Sequence, residues 1–287
     1  MSKVVSHHEK YIHQLTKGLN PKLLQSFLPT RSMGDLKMIR RATVKCREYI
    51  HLWGDMMKDI EKKLDKFVPQ IPEKSDRIAV IVEPRKHQDL LNVLRIYMYC
   101  LSGWKLQIWC GNDNIDWIKE KLSSWQNVVY SKLPVKNLTV PDYSRLLKSA
   151  DFWNRIDGEH VLIFQTDSLI LRQGIEKFLQ YDYVGAPWKV SKEHTLDVGN
   201  GGLSLRRKSA MLKIIDKYPD QTGHPEDLYF CRHLKDDGYC LPSREIAKCF
   251  SVETVSYDTP IGIHKPLRIS INKLKKILSG TVLDQIK

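Results

Sequence analysis

Two different hydrophobic periods divide this chain. From Ile39 the apolar positions run Cys46, Ile50, Trp53, Met57, Ile60, Leu64 and Phe67, in steps of three and four, with a polar interruption at Thr43. That spacing lays one apolar seam along a helix of roughly thirty residues, which should end before Pro69 and Pro72. The seam either packs along the rest of the chain or, because its period is close to 3.5, joins two copies as a homodimer. After Asp76 the pattern changes to short continuous runs: Ile78-Ala-Val-Ile-Val82, Leu106-Gln-Ile-Trp109 and Val161-Leu-Ile-Phe164. Such runs read as strands covered on both faces, as in a parallel sheet between helices. An amphipathic segment near Lys86 to Ser102, stopped at Gly103, lies between the first two and completes a strand, helix, strand unit of the nucleotide-binding type.

The alternation continues to about Pro266 with no linker and no internal repeat. Residues 1–75 are therefore expected to form a helical segment, and 76–287 one α/β domain. In the tail, Ile269, Leu274, Ile277 and Leu278 alternate with Lys273, Lys275 and Lys276. An amphipathic helix covering the domain is expected there, with a basic contact to a membrane surface as the alternative.

At 287 residues and 42% hydrophobic content the chain can bury a full core, which excludes a disordered protein. Its net charge of +13 favours anionic partners such as a nucleotide diphosphate, nucleic acid or an acidic membrane face. The excess is dispersed, as on a solvated surface, and no nucleic-acid-binding signature accompanies it, so no specific nucleic acid is expected. The six cysteines form no C-x-x-C pair, consistent with reduced thiols. There is no apolar leader and no run of about 18 apolar residues, so the expectation is a soluble, cytoplasmic protein without a transmembrane segment.

Ligands of a parallel sheet collect where its strands end. The run Val161–Phe164 ends in Gln165-Thr166-Asp167-Ser168, which places Asp167 where a ligand would be. No Gly-x-Gly-x-x-Gly or Gly-x-x-x-x-Gly-Lys-Ser/Thr occurs, so neither a dinucleotide fold nor a P-loop is expected, and phosphates must be neutralised otherwise. A metal held by carboxylate and imidazole is the alternative. Three further clusters follow: Val198-Gly-Asn-Gly-Gly202, His224-Pro-Glu-Asp227 with Pro225 in the first turn of a helix, and Ile261-Gly-Ile-His264-Lys265-Pro266. Singly, each has an ordinary explanation as a cap, a turn or a core histidine. Together they supply what a nucleotide-sugar transferase needs: metal ligands, a cation for a diphosphate, a glycine floor for a sugar and a carboxylate base for an acceptor hydroxyl.

In order and spacing these clusters resemble glycosyltransferases of the GT-A fold. More closely, the chain resembles a little-characterised GT-A-like family with an F-Q-T-D turn, Y-V-G-A-P-W, G-N-G-G-x-S-L-R, a P-E-D helix start and a G-x-H-K-P end. All five stand here, the second as Tyr183–Trp188, and Val80–Arg85 and Leu146–Trp153 extend the likeness over roughly residues 76–267. The resemblance implies a GT-A-like (Rossmann-like) mixed, mostly parallel sheet flanked by helices, with the helical segment as an N-terminal extension. It implies a UDP-sugar donor, a divalent metal (Mn2+ or Mg2+) and a glycan or other hydroxyl acceptor. Carried over by position, Asp167 and His264 hold the metal and Lys265 lies near the phosphates. Gln165 stands where the family pattern of the fold has its first aspartate, which removes one charge. Gln165, Thr166, Asn200, Gly201 and Gly202 line the donor site, and Glu83 and Arg85 meet the uridine. Glu226 and Asp227 are the catalytic pair, with Asp227 the base of an inverting displacement, and the loop from Lys189 to Leu196 could close over the acceptor. The competing readings are a degenerate GT-A-like binding protein or a basic nucleic-acid- or membrane-binding module. Among enzymes the competitor is a nucleotidyltransferase.

Overall fold

The structure is a computed structural model that describes residues 7–28, 36–189, 196–219 and 223–286. Three helices come first, α1 (His7–Thr16), α2 (Pro21–Ser26) and α3 (Leu36–Leu64). The alternating region follows as β1 (Arg77–Val82), α4 (Leu90–Cys100), β2 (Lys105–Cys110), α5 (Ile115–Lys121), β3 (Val128–Lys132), α6 (Val140–Leu147), α7 (Ala150–Asn154) and β4 (His160–Phe164). Next come β5 (Ser168–Ile170), β6 (Tyr183–Gly185), β7 (Leu203–Arg207), α8 (Lys208–Lys217), α9 (Glu226–Asp236) and α10 (Arg244–Phe250). Then follow β8 (Ser251–Val252), β9 (Gly262–His264), α11 (Ile271–Ile277) and a short 3-10 turn at Val282–Gln285.

The main sheet has the order β3-β2-β1-β4-β7-β6, with β1 to β4 parallel and β7 antiparallel to both neighbours. A small sheet, β5-β9-β8, stands beside it. The mixed, mostly parallel α/β architecture expected from the sequence is what the protein has. Its cause is visible in β1, whose residues alternate between two cores. Ile78, Val80 and Val82 face α6 to α9, whereas Ala79 and Ile81 face α3, α4 and α11. Burial on both faces is why the strand reads as an unbroken apolar run.

Helix α3 packs along the body against α4 and α11. Met57, Ile60 and Leu64 enter the main core, and Asn92 and Arg95 of α4 donate to Met57 O (3.2 Å) and Asp65 Oδ1 (2.8 Å). Its buried face departs from the seam expected from the sequence at one step. Ile50 is 43% exposed, and Tyr49 is buried in its place between Phe27 and Trp53. Thr43 is buried rather than an interruption, because its hydroxyl bonds back to Ile39 O at 2.8 Å. Helix α4 is also shorter than the segment expected at Lys86 to Ser102, since Arg85 to Asp89 form a turn before it. In the tail, Ile269, Leu274 and Ile277 are buried against the main core, as the amphipathic pattern required.

Ile60, fully buried between α3 and the sheet's helices, tests this docking. Ile60→Ala should lower stability by about 2–5 kcal/mol, measured by denaturant unfolding. No helix among the described residues is long and apolar enough to cross a membrane.

Candidate active site

From β1 the chain builds outward through β2 to β3, then returns across the sheet to place β4 on the other side of β1. Such a reversal opens a crevice at the carboxyl ends of the two strands that flank it. Glu83 follows β1 and Gln165 follows β4, so both emerge at that crevice. Glu83 is fixed through its backbone, its N–H donating to Trp109 O (3.1 Å) while its carbonyl accepts from Asn114 Nδ2 (2.8 Å). Asn114 also donates to Arg85 O (2.8 Å) and accepts from Gly111 N (2.8 Å), which ties the loops after β1 and β2 together. The sequence reading had no role for Asn114, whose only signal was its place in the turn after an apolar strand. Arg85 donates through Nε and Nη2 to the two Glu83 carboxylate oxygens, each at 2.7 Å, and Thr166 Oγ1 lies 3.5 Å from Glu83 Oε2. Glu83 and Arg85 thus pair with one another at the crevice.

Strand β5 begins at Ser168 and pairs directly with His264 of β9, so the imidazole lies beside Asp167. His264 Nε2 is 3.2 Å from Asp167 Oδ1. Both His264 nitrogens are buried and neither is in a well-aligned hydrogen bond, so the approach to Asp167 is close but loosely aligned. Burial would raise the Asp167 carboxyl, but the neighbouring His264 and Lys265 outweigh it and hold the pKa at about 2. Lys265 is exposed, takes a positive φ of 41° and donates its backbone N–H to Asp167 O at 3.0 Å. On the far side of the ring, Glu253 Oε1 stands 3.9 Å from Nδ1. Glu253 was not singled out in the sequence; it reaches the site because β8 runs parallel to β9. Among the described residues no three His, Cys, Asp or Glu side chains converge as a complete metal nest.

Because Phe164 pairs with Leu203, the glycine run before β7 enters at the same edge. Asn200 has a φ of 61°, its side chain accepting from Gly202 N (3.1 Å). Gly201 donates its N–H to Asp227 Oδ2 at 3.2 Å. Neither following glycine can carry a side chain. A Cβ on Gly201 would collide with Glu226 Oε1, and one on Gly202 with the His264 ring. Asp227 lies in the first turn of α9, with Oδ1 accepting from Leu228 N at 2.8 Å. Pro225 precedes that helix as its cap residue rather than standing inside its first turn.

Glu226 has a partner that the sequence reading did not assign. Arg206, the last residue of G-N-G-G-x-S-L-R, is 1% exposed and donates to Glu226 Oε2 (2.6 Å) and Oε1 (3.1 Å). Its Nε–H reaches Ser204 Oγ at 2.9 Å, and its guanidinium lies over the Tyr183 ring. Burial works against the Arg206 charge and Glu226 more than restores it, so its pKa is raised. The Glu226 carboxylate is thereby bound inside the protein, where it ties α9 to β7.

A continuous series of contacts therefore runs from Arg85 and Glu83 through Thr166, Asp167 and His264 to Gly202, Gly201 and Asp227. Residues 190–195 of the loop from Lys189 to Leu196 lie outside the described residues.

The geometry defines a mixed α/β protein with an acidic, imidazole-bearing crevice at the carboxyl edge of its sheet. Residues 127–264 match the family described as "Protein of unknown function (DUF5672)", a span that holds Asp167, Asp227 and His264 but neither Glu83 nor Arg85. No curated relative matches. Among solved structures, TarS of S. aureus (residues 1–349) is 18% identical with a TM-score of 0.39, over 55% of this chain and 54% of that one. The glycosyltransferase GlyE of Streptococcus pneumoniae, in its apo form, is 13% identical with a TM-score of 0.45, over 68% of this chain and 55% of that one. The 4-diphosphocytidyl-2C-methyl-D-erythritol synthase of Anaerococcus prevotii is 12% identical with a TM-score of 0.39, over 70% of this chain and 94% of that one. The chain thus spans about half the length of the first two. At this level of likeness none of them assigns an activity.

Proposed function

We propose that this protein is a glycosyltransferase that moves a sugar from a nucleotide diphosphate donor, UDP being the preferred nucleotide, to a hydroxyl of a glycan or related acceptor. The observation that carries the reading is the convergence at one strand edge of Asp167 with His264 and, one glycine step away, of Asp227.

The residues fit a divalent cation such as Mn2+ or Mg2+. The buried His264 Nε2, 3.2 Å from an Asp167 carboxylate oxygen and in no well-formed hydrogen bond, makes with that oxygen a nitrogen–oxygen donor pair open to a cation. Two protein ligands suffice, because such ions complete their shell with phosphate and water oxygens. Asp167 and His264 would hold the ion, which when bound neutralises charge on the departing diphosphate. Lys265 adds a cation beside Asp167. Glu83, Arg85 and Thr166 form the wall on the nucleoside side, and Asn200 to Gly202, packed against Glu226 and His264, would form the floor beneath the sugar. Asp227 removes the acceptor hydroxyl proton as that oxygen attacks the anomeric carbon, and the nucleotide leaves from the opposite face, inverting the configuration. Glu226 acts through its ion pair with Arg206 by fixing the start of α9. Gln165 is the feature that favours the second reading, a nucleotide-binding protein without turnover, because it replaces a charged residue of the GT-A pattern.

Thermal-shift titration with UDP, GDP, CDP and ADP, each with and without Mn2+, tests the donor site. UDP at about 100 times its Kd should add about 2.7 kcal/mol, a rise in Tm of about 5–10 °C for a domain of this size. EDTA, Asp167→Ala or His264→Ala should remove the metal-dependent part. Indifference of the wild type to every nucleotide would refute the reading.

A further inference from the structure

Helix α6 brings next to Gln165 and Asp167 a residue that the sequence motifs did not mark. Its start is fixed by a capping box, Thr139 Oγ1 accepting from Asp142 N at 3.2 Å while the Asp142 carboxylate accepts from Thr139, and by Pro141 in the first turn. The helix packs against α9, and the Tyr143 ring lies on the core between them. Its hydroxyl is buried and makes no well-formed hydrogen bond, the Gln165 amide being the one polar group that engages it. Around it stand Gln165, Glu226, Arg206 and Asp167; burial first, and then the Glu226 carboxylate, raise its pKa, so it is a neutral O–H.

A buried hydroxyl left without a well-formed hydrogen bond destabilises the fold, and native proteins contain few of them. Of the buried groups without a well-formed hydrogen bond, Tyr143 Oη and the two His264 nitrogens border the segment Gln165 to Asp167. The histidine is explained by the cation site; Tyr143 needs another ligand. Its location narrows the choice. Glu83 and Arg85 lie on one side of Asp167, whereas the Glu226–Arg206 pair that neighbours Tyr143 lies on the side of Gly201 and Asp227. With a diphosphate at Asp167 and His264, a group on this second side faces the sugar. A sugar hydroxyl both donates and accepts, which matches a phenol beside a primary amide.

Resting on the glycosyltransferase reading, we propose that Tyr143, together with Gln165, recognises a hydroxyl of the sugar that the donor carries. The residue is then a determinant of donor-sugar binding and makes no contact with the nucleotide.

Tyr143→Phe separates this from a structural role, with affinities for UDP, UDP-glucose, UDP-galactose, UDP-xylose and UDP-N-acetylglucosamine measured by calorimetry. The ligand-free variant should melt within a degree or so of the wild type, because the hydroxyl removed makes no well-formed hydrogen bond. Its affinity for UDP should stay within about twofold, while the tightest UDP-sugar should weaken about tenfold, the size of one hydrogen bond. A markedly lower Tm, or equal weakening of UDP and UDP-sugar, would show a structural role and overturn the proposal. Unchanged affinity for both UDP and the UDP-sugar would overturn it while leaving the donor site intact. Absence of binding by the wild type to any of these probes would overturn the glycosyltransferase reading and this proposal together.

Discussion

Asp227→Asn will keep donor binding and lose turnover by about a hundred- to ten-thousandfold, the usual contribution of a positioned general base. The substitution preserves size and shape but removes the basic oxygen that accepts the proton. The side chain is held at two points, by Gly201 N–H and by Leu228 N–H, and an asparagine can satisfy one of these with its carbonyl oxygen while its amide cannot serve the other. A small loss of order at Gly201 is therefore expected alongside the large loss of rate. Measurement of kcat and KM with the donor selected by titration distinguishes the two: loss of the base lowers kcat, and loosening of the floor raises KM for the donor. If Asp227→Asn turned over near the wild-type rate, or if the product retained its configuration, Asp227 would not be the base.

The parts of the fold legible in the sequence were those whose chemistry is local. Strands β1 and β4 were visible because burial on both faces leaves no polar position in the run. The four site clusters were visible because turn glycines, a helix-start proline and a histidine between strand and turn are all short-range patterns. The seam of α3 was legible as a period but slipped by a residue at Ile50. Tyr49 and Ile50 are adjacent and both bulky, and the choice between them was made by Phe27, tilted against the Tyr49 ring, and Trp53, stacked on it. The remaining site residues depend on partners far along the chain. Asn114 clamps Glu83 across 31 positions, and Arg206 meets Glu226 across 20. Before the partner is known, a buried arginine in an apolar strand looks like the polar end of that strand. Glu253 reaches His264 only through the parallel pairing of β8 with β9, two strands too short to announce themselves.

The largest effect on stability is expected at Arg206. Arg206→Met will destabilise the protein by about 3–5 kcal/mol, because Glu226 would be left buried and without its guanidinium. The loss should be visible as a lower midpoint in urea with an unchanged m-value. The double variant Arg206→Met, Glu226→Leu should recover much of that stability, since two apolar side chains need neither charge satisfied. Recovery of stability need not restore activity. Gly201 fits against Glu226 so closely that no Cβ can stand between them, and the same glycine holds Asp227 through its N–H. A leucine, bulkier at this point than the planar carboxylate, would move α9 against the glycine floor and displace Asp227. The expected result is thus a folded double variant with a much reduced kcat, which would assign the ion pair to placing the base. If the double variant were both stable and fully active, the buried pair would have no part in the site's geometry, and Asp227 would owe its position to the backbone of α9 alone.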